Sequence, residues 1–228
     1  MSESNLSRRI RSFVIRTGRM TDSQKAGWNI GFPKHGFTLS DNQFDWDASF
    51  DEAGPRVLEI GFGMGDSLVA MAEQNPRSRY LGIEVHTPGV GKLLADVERQ
   101  GITNLKVFSD DAVQVLEDAI QVNSVDLMQI FFPDPWYKKR HHKRRLIQPD
   151  FVSLAVSRLS LGGHLHLTTD WEPYAEYMMA VLSATEALEN LAGERQFSPR
   201  PESRPETKFE RRGHRLGHAV WDLLFSKC

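Results

Sequence analysis

The sequence predicts an α/β fold built on a mostly parallel sheet, and three observations predict it. From residue 56 onward short apolar runs alternate with amphipathic stretches, the order that lays helices between parallel strands. A glycine-rich turn, Gly61-Phe62-Gly63-Met64-Gly65, closes the first run and opens the first amphipathic stretch, where open α/β sheets bind ligands. The chain has 228 residues, of which 40% are hydrophobic and 25% charged, enough for one large domain and too apolar for wholesale disorder.

Residues 1–53 are polar, glycine-rich and weakly periodic, so they read as an extended N-terminal arm ahead of a domain spanning 54–228. Strands are expected at 57–60, 80–85, 105–108, 125–132 and 164–168. Helices are expected at 67–74, 90–100, 112–120, 148–159 and 173–188. Pro173 suits the first turn of the last of these, where its missing N–H costs nothing. Residues after Gly193 carry several prolines and many charges, which suggests a long surface loop. It leads into an apolar run at 218–225 that suits a last, antiparallel strand. No internal repeat appears.

Composition also excludes classes. The single cysteine, Cys228, can form neither an internal disulfide nor a Cys-based zinc or iron–sulfur site, so a secreted disulfide scaffold is ruled out. The N-terminus has arginines but no apolar segment after them, unlike a secretory signal. No stretch approaches the roughly 18 apolar residues of a membrane span. A soluble, cytoplasmic protein is expected, acting as a monomer without a membrane or metal partner. The net charge of −2 conceals strong polarity along the chain. Arg8, Arg9, Arg11, Arg16 and Arg19 stand near the N-terminus, and residues 138–145 read KKRHHKRR. Six more Lys or Arg lie between Arg200 and Arg215. Three basic segments that converge would make a polyanion site.

Glycines at alternate positions let the backbone turn tightly and approach a ligand with no Cβ in the way. The G-x-G-x-G spacing, with Glu59 two residues ahead, departs from the G-x-G-x-x-G of a dinucleotide site. A pyrophosphate would be repelled by Glu59, whereas the ammonium and sulfonium of S-adenosylmethionine would be favoured. Glu84 ends the second strand, placed for a ribose diol, and Asp111 follows the third, placed for an adenine amino group. The fourth strand breaks into Pro133-Asp134-Pro135-Trp136, and two prolines hold the Asp134 carboxylate in a narrow range. Trp136 and Tyr137 are candidates to stack on a base, with the basic run holding phosphates beside it. His141 and His142 are adjacent and lack partners at metal-ligand spacing, so they belong to the basic surface. His164 and His166 share one strand face and read as packed or hydrogen-bonded. Asp170 either caps the next helix or faces the cleft.

These motifs resemble the bacterial tRNA (guanine-N7-)-methyltransferase family. LEIGFGMG, GIEVH, FFPDPWYKKRHHKRR, TTDW and Thr207-Lys208-Phe209-Glu210 carry the resemblance from Val57 to the C-terminus. The FPDPW block with its basic tail and the late TKFE are more specific than the glycine loop. The resemblance implies a Rossmann-like class I fold that takes a methyl group from S-adenosylmethionine to N7 of a guanine at position 46, in the variable loop of tRNA. It implies cofactor binding by Glu59, Gly61, Gly63, Glu84, Asp111 and Asp134, with Asp134 as the active-site residue. It assigns Lys138, Asp170, Thr207, Lys208, Phe209 and Glu210 to substrate, and Arg140, His141, His142, Lys143, Arg144 and Arg145 to RNA. The competing readings are a methyltransferase of another substrate class, a non-enzymatic RNA-binding protein and a nicotinamide-dependent dehydrogenase.

Overall fold

Strand after strand in this chain is apolar on both sides, so each must be covered by helices on both faces. The computed structural model describes residues 11–14, 18–41, 43–206, 210 and 219–228. The described elements run β1 (Gly36–Phe37), β2 (Arg56–Ile60), β3 (Arg79–Ile83), β4 (Leu105–Phe108), β5 (Val125–Phe131), β6 (Leu159–Thr169), β7 (Leu188–Asn190) and β8 (Trp221–Lys227). They form one sheet in the order β1-β4-β3-β2-β5-β6-β8-β7. Only β8 runs antiparallel to its neighbours β6 and β7. The order reverses direction between β2 and β5, which opens a crevice at the C-terminal strand ends.

The helices are α1 (Asp22–His35), α2 (Trp46–Ser49), α3 (Asp66–Gln74), α4 (Thr87–Gln100), α5 (Ala112–Asp118), α6 (Pro149–Arg158) and α7 (Glu172–Ser183). Leu58, Ile60, Met128, Ile130, Leu165 and Leu167 fill the core on one sheet face. Val57, Leu68, Leu93, Leu94 and Val107 fill it on the other. Predicted and observed elements agree to within a few residues, with two exceptions near the C-terminus. The strand expected at 164–168 begins at Leu159, after which Gly162 bends the backbone at a φ of +73°. The helix expected to reach 188 stops at Ser183, and β7 follows it. Residue 218 of the expected last strand lies outside the described residues.

The expectation of an extended arm over 1–53 is corrected where that stretch is described. Thr21 and Gln24 form a reciprocal capping box that starts α1. The buried face of α1 is glycine rather than leucine. A Cβ on Gly27 would lie 2.2 Å from the Gly91 carbonyl oxygen of α4, and one on Gly31 would lie 2.9 Å from the Leu94 side chain. The two helices therefore touch backbone to backbone, through residues that a hydrophobic-periodicity reading scores as breakers. β1 then extends the sheet edge beside β4. Phe44, Trp46 and Phe50 are buried together, with Phe44 and Trp46 edge to face at 5.2 Å.

Candidate active site

Conformation demands all three glycines of the turn, and at Gly65 crowding does too, since a Cβ there would lie 2.6 Å from the Leu93 side chain. Gly61, Gly63 and Gly65 have φ of +77°, +59° and +78°, which L side chains resist. A Cβ on Gly61 or Gly63 would meet nothing within 4 Å, so space lies open over the loop. Glu84 pins that loop. Its carboxylate accepts the Gly63 N–H at 2.8 Å, the Val85 N–H at 2.7 Å and the His86 N–H at 2.9 Å. A carboxylate has about four acceptor positions, so one remains for a ligand hydroxyl.

Glu59 is the last residue but one of β2 and is only 3% exposed. Its Oε2 has no hydrogen-bond partner. Burial, reinforced by the Glu84 charge, pushes its carboxyl up to about 8. An acid in this state calls for a cation, and the ammonium of an amino-acid ligand fits it. Asp111 caps α5 by accepting the Val113 N–H at 3.0 Å on Oδ1. With Gly61, Glu84 and Asp134 it lines a cavity of about 260 Å³.

Beside that cavity lies a cleft of about 690 Å³, lined by His86, Trp136, Tyr137, Lys138 and His141. Asp134 lines both spaces and is exposed to them. Its placement is more constrained than two prolines alone would make it. Phe132 and Trp136, on either side of the Pro-Asp-Pro, have φ of +50° and +46°. Each costs on the order of 1–3 kcal/mol of backbone strain, a cost usually met at working sites. The Phe132 N–H donates to the Thr168 carbonyl at 2.8 Å, fixing the bend to β6.

The basic run forms a 3₁₀ turn, Lys139–Arg144, with no fully buried residue. Its members do different things. Lys138, Lys139, Arg140 and Lys143 are exposed. Partial desolvation and the surrounding cations hold the His141 imidazole below its ordinary range. His142 Nε2 lies 3.2 Å from Arg145. Arg144 lies over the Trp136 ring at 4.4 Å. Arg145 corrects the sequence reading: it is 5% exposed, donates to the Pro135 carbonyl at 2.9 Å and lies over Tyr174 at 4.7 Å. It buttresses the loop from beneath, its guanidinium engaged with a backbone carbonyl and two tyrosine rings rather than facing solvent like Lys139, Arg140 and Lys143.

Trp136 is likewise spent on structure, because its indole N–H donates to the Ser12 carbonyl at 3.0 Å. That bond brings Ser12 and Phe13 onto the cavity wall, which the sequence reading missed. Tyr137 stays 66% exposed and meets Trp171 edge to face at 4.8 Å, joining the loops after β5 and β6. Asp170, next to Trp171, is exposed and is not a cap, since α7 has no side-chain cap bond. Thr207, Lys208 and Phe209 lie outside the described residues. Glu210 is described and buried, and it pairs with Arg204 Nη2 at 2.6 Å. Arg204 also donates to Asp222 at 2.9 and 3.1 Å. Asp222 in turn binds His166 at 2.7 Å, so His166 is a hydrogen-bonded core residue as expected.

Comparison with known proteins turns this geometry into a family. The model Methyltransf_4, described as a methyltransferase family, matches residues 53–223. A tRNA (guanine-N(7)-)-methyltransferase from Pseudomonas fluorescens is 54% identical over 220 residues, 96% of this chain and 91% of that protein. One of the same name from Saccharophagus degradans is 52% identical, covering 96% of this chain and 95% of its own. The chain belongs to the tRNA (guanine-N7-)-methyltransferase family. Solved structures share its fold at low identity. The 16S rRNA methyltransferase KamB superposes with a TM-score of 0.53 at 15% identity, over 96% of this chain and 98% of that one. An rRNA methylase from Streptococcus thermophilus gives 0.52 at 12%, over 77% and 88%. The fold is thus the Rossmann-like one of class I methyltransferases, and the methyl donor of this family member is S-adenosylmethionine. Its site is acidic and cleft-bound, and among the described residues no group of His, Cys, Asp and Glu is arranged to hold a metal. Among them, too, no helix is long and apolar enough to cross a membrane.

Proposed function

We propose that this enzyme methylates N7 of a guanine in the variable loop of tRNA, at position 46, to give 7-methylguanosine. One observation carries the reading: Asp134 lines both the cavity beside Glu84 and Asp111 and a cleft lined by Tyr137, Lys138 and His141, the last of these on the cationic 3₁₀ turn. When bound, S-adenosylmethionine supplies an electrophilic methyl group. Glu59 holds the amino-acid end of that donor, Glu84 the ribose hydroxyls and Asp111 the adenine amino group.

Guanine N7 is an exposed acceptor with a free lone pair, so no proton has to leave before it attacks. The chain therefore supplies orientation more than acid–base chemistry, and orientation alone can contribute about 7–11 kcal/mol. Asp134, fixed by its strained flanks, orients the base and stabilises the positive charge that develops on the purine. Asp170 accepts from the N1–H and N2–H₂ edge and so favours guanine over adenine. Glu210, paired with Arg204, holds its segment against the sheet. Lys138, Lys139, Arg140 and Lys143 hold phosphates while the base is drawn into the cleft, a step costing a few kcal/mol.

The test is transfer of labelled methyl from S-adenosylmethionine to bulk tRNA, with nuclease mapping of the product. Label is expected as 7-methylguanosine in the variable loop and is expected to vanish in Asp134→Ala. Label at another base or on another macromolecule would reject the substrate while keeping the donor site.

A further inference from the structure

Gln129 is buried beside Glu59 and shares its peculiarity. Gln129 Oε1 and Glu59 Oε2 are both shut off from solvent, and neither has a hydrogen-bond partner. The residues are 2% and 3% exposed. They are register partners on the parallel pair β2 and β5. Parallel neighbours lie about 4.7–4.9 Å apart and send paired side chains to the same face. On the far side of Glu59 the next register position is Gly82, which has no side chain to offer. On the far side of Gln129 it is His166, whose Nε2 is engaged by Asp222. Two buried oxygens thus stand side by side, and the flanking register positions, Gly82 and His166, offer them no free donor; buried acceptors left empty need an explanation.

We propose that Gln129 is a donor-binding residue, its carboxamide oxygen acting with Glu59 to accept from the α-ammonium at the amino-acid end of S-adenosylmethionine. The chemistry of the pair selects that group. An ammonium carries three donors and no acceptor, so it satisfies two convergent oxygens at once. One of those oxygens supplies charge, and the other must not. Glu84 already raises the local negative potential, and a second carboxylate at position 129 would add repulsion, whereas an amide adds an acceptor without charge. The location agrees, because Glu59 precedes Gly61 by two residues and the Phe62 ring of the glycine turn lies against Gly82.

The inference rests on the donor site described above and is tested by binding rather than turnover. Wild type, Gln129→Met and Gln129→Asn are titrated calorimetrically with S-adenosylhomocysteine and with 5′-methylthioadenosine, which lacks the amino-acid end. Loss of a charge-assisted hydrogen bond should weaken S-adenosylhomocysteine about tenfold to a hundredfold in Gln129→Met, with 5′-methylthioadenosine within about twofold. Gln129→Asn keeps the acceptor but shortens its reach, so it should show the same selective loss even if the methionine variant does not fold. Equal weakening of both ligands would mark Gln129 as merely structural and overturn the proposal. Unchanged S-adenosylhomocysteine affinity in the folded variants would overturn it as well. A wild type that binds neither ligand would remove the donor site itself, and the role of Gln129 with it.

Discussion

Replacing Glu59 by glutamine removes an ionisable group from the amino-acid end of the proposed donor site and leaves its shape. In the ligand-free chain burial and the Glu84 charge raise Glu59 from 4.5 to about 8, so the folded protein holds a proton there at pH 7. An ammonium ligand requires the carboxylate, and binding must expel that proton. Below pH 8 the affinity for S-adenosylhomocysteine should therefore climb about tenfold, or about 1.4 kcal/mol, per pH unit. Between pH 6 and 8 the change is on the order of a hundredfold. Above pH 8 the α-amine of the ligand starts to lose its own proton, which closes the useful window. Calorimetry at pH 6.5 in two buffers of different ionisation enthalpy should record nearly one proton released per site. Glu59→Gln should bind weakly, with a flat profile and no release. Its stability should change in the opposite sense. A carboxyl raised in the folded state stabilises fully below its unfolded value of 4.5, and that contribution drains away as pH rises through 8. Ligand-free Glu59→Gln should thus melt higher than wild type at pH 8. Wild-type binding that ignores pH between 6 and 8, with no proton released, would refute the reasoning.

Asp134→Asn keeps shape and removes charge. Methyl transfer should fall about 10²–10³-fold while S-adenosylhomocysteine affinity changes far less; transfer at the wild-type rate would end the electrostatic part of the mechanism. Alanine at Lys139, Arg140 and Lys143 should raise KM for tRNA and flatten its salt dependence by about 0.7–0.9 log unit for each phosphate no longer neutralised. Arg145→Met, by contrast, should lower the melting temperature and leave that slope alone. Arg204→Met removes one charged partner from each of two buried carboxylates, Asp222 and Glu210, and should cost about 3–5 kcal/mol in denaturant unfolding. Gly27→Val forces α1 away from α4 and should cost about 1–3 kcal/mol, with ligand affinity unchanged.

The sheet was legible because its strands are apolar runs of the right length, set off by a glycine turn and proline-flanked breaks. The residues of the proposed donor site were singled out for a related reason, since Glu59, Glu84 and Asp111 stand at or just after the ends of three successive strands. What stayed hidden depends on pairing across distance. α1 buries Gly27 and Gly31, and no periodicity of hydrophobic residues announces a glycine face. Arg145 ends a cationic run, and only contacts made in the fold, to the Pro135 carbonyl and the Tyr174 ring, separate it from neighbours that face solvent. Arg204 and Asp222 are 18 residues apart and meet only because β8 lies beside β6. The left-handed φ values at Phe132 and Trp136 are likewise invisible, because neither residue type favours them.

The place of β8 in the sheet sets an order of events in time. Residues 221–227 insert between β6 and β7, both of which leave the ribosome earlier. Until that last strand arrives, β7 has no ladder partner and the long edge of β6 is bare. Asp222 is missing too, so Arg204 has only one of its two carboxylate partners, Glu210, to pair with. A nascent or truncated chain stopping short of residue 221 would therefore present an open, apolar sheet edge, the kind that recruits other chains. Arrival of β8 pairs both edges in a single late step.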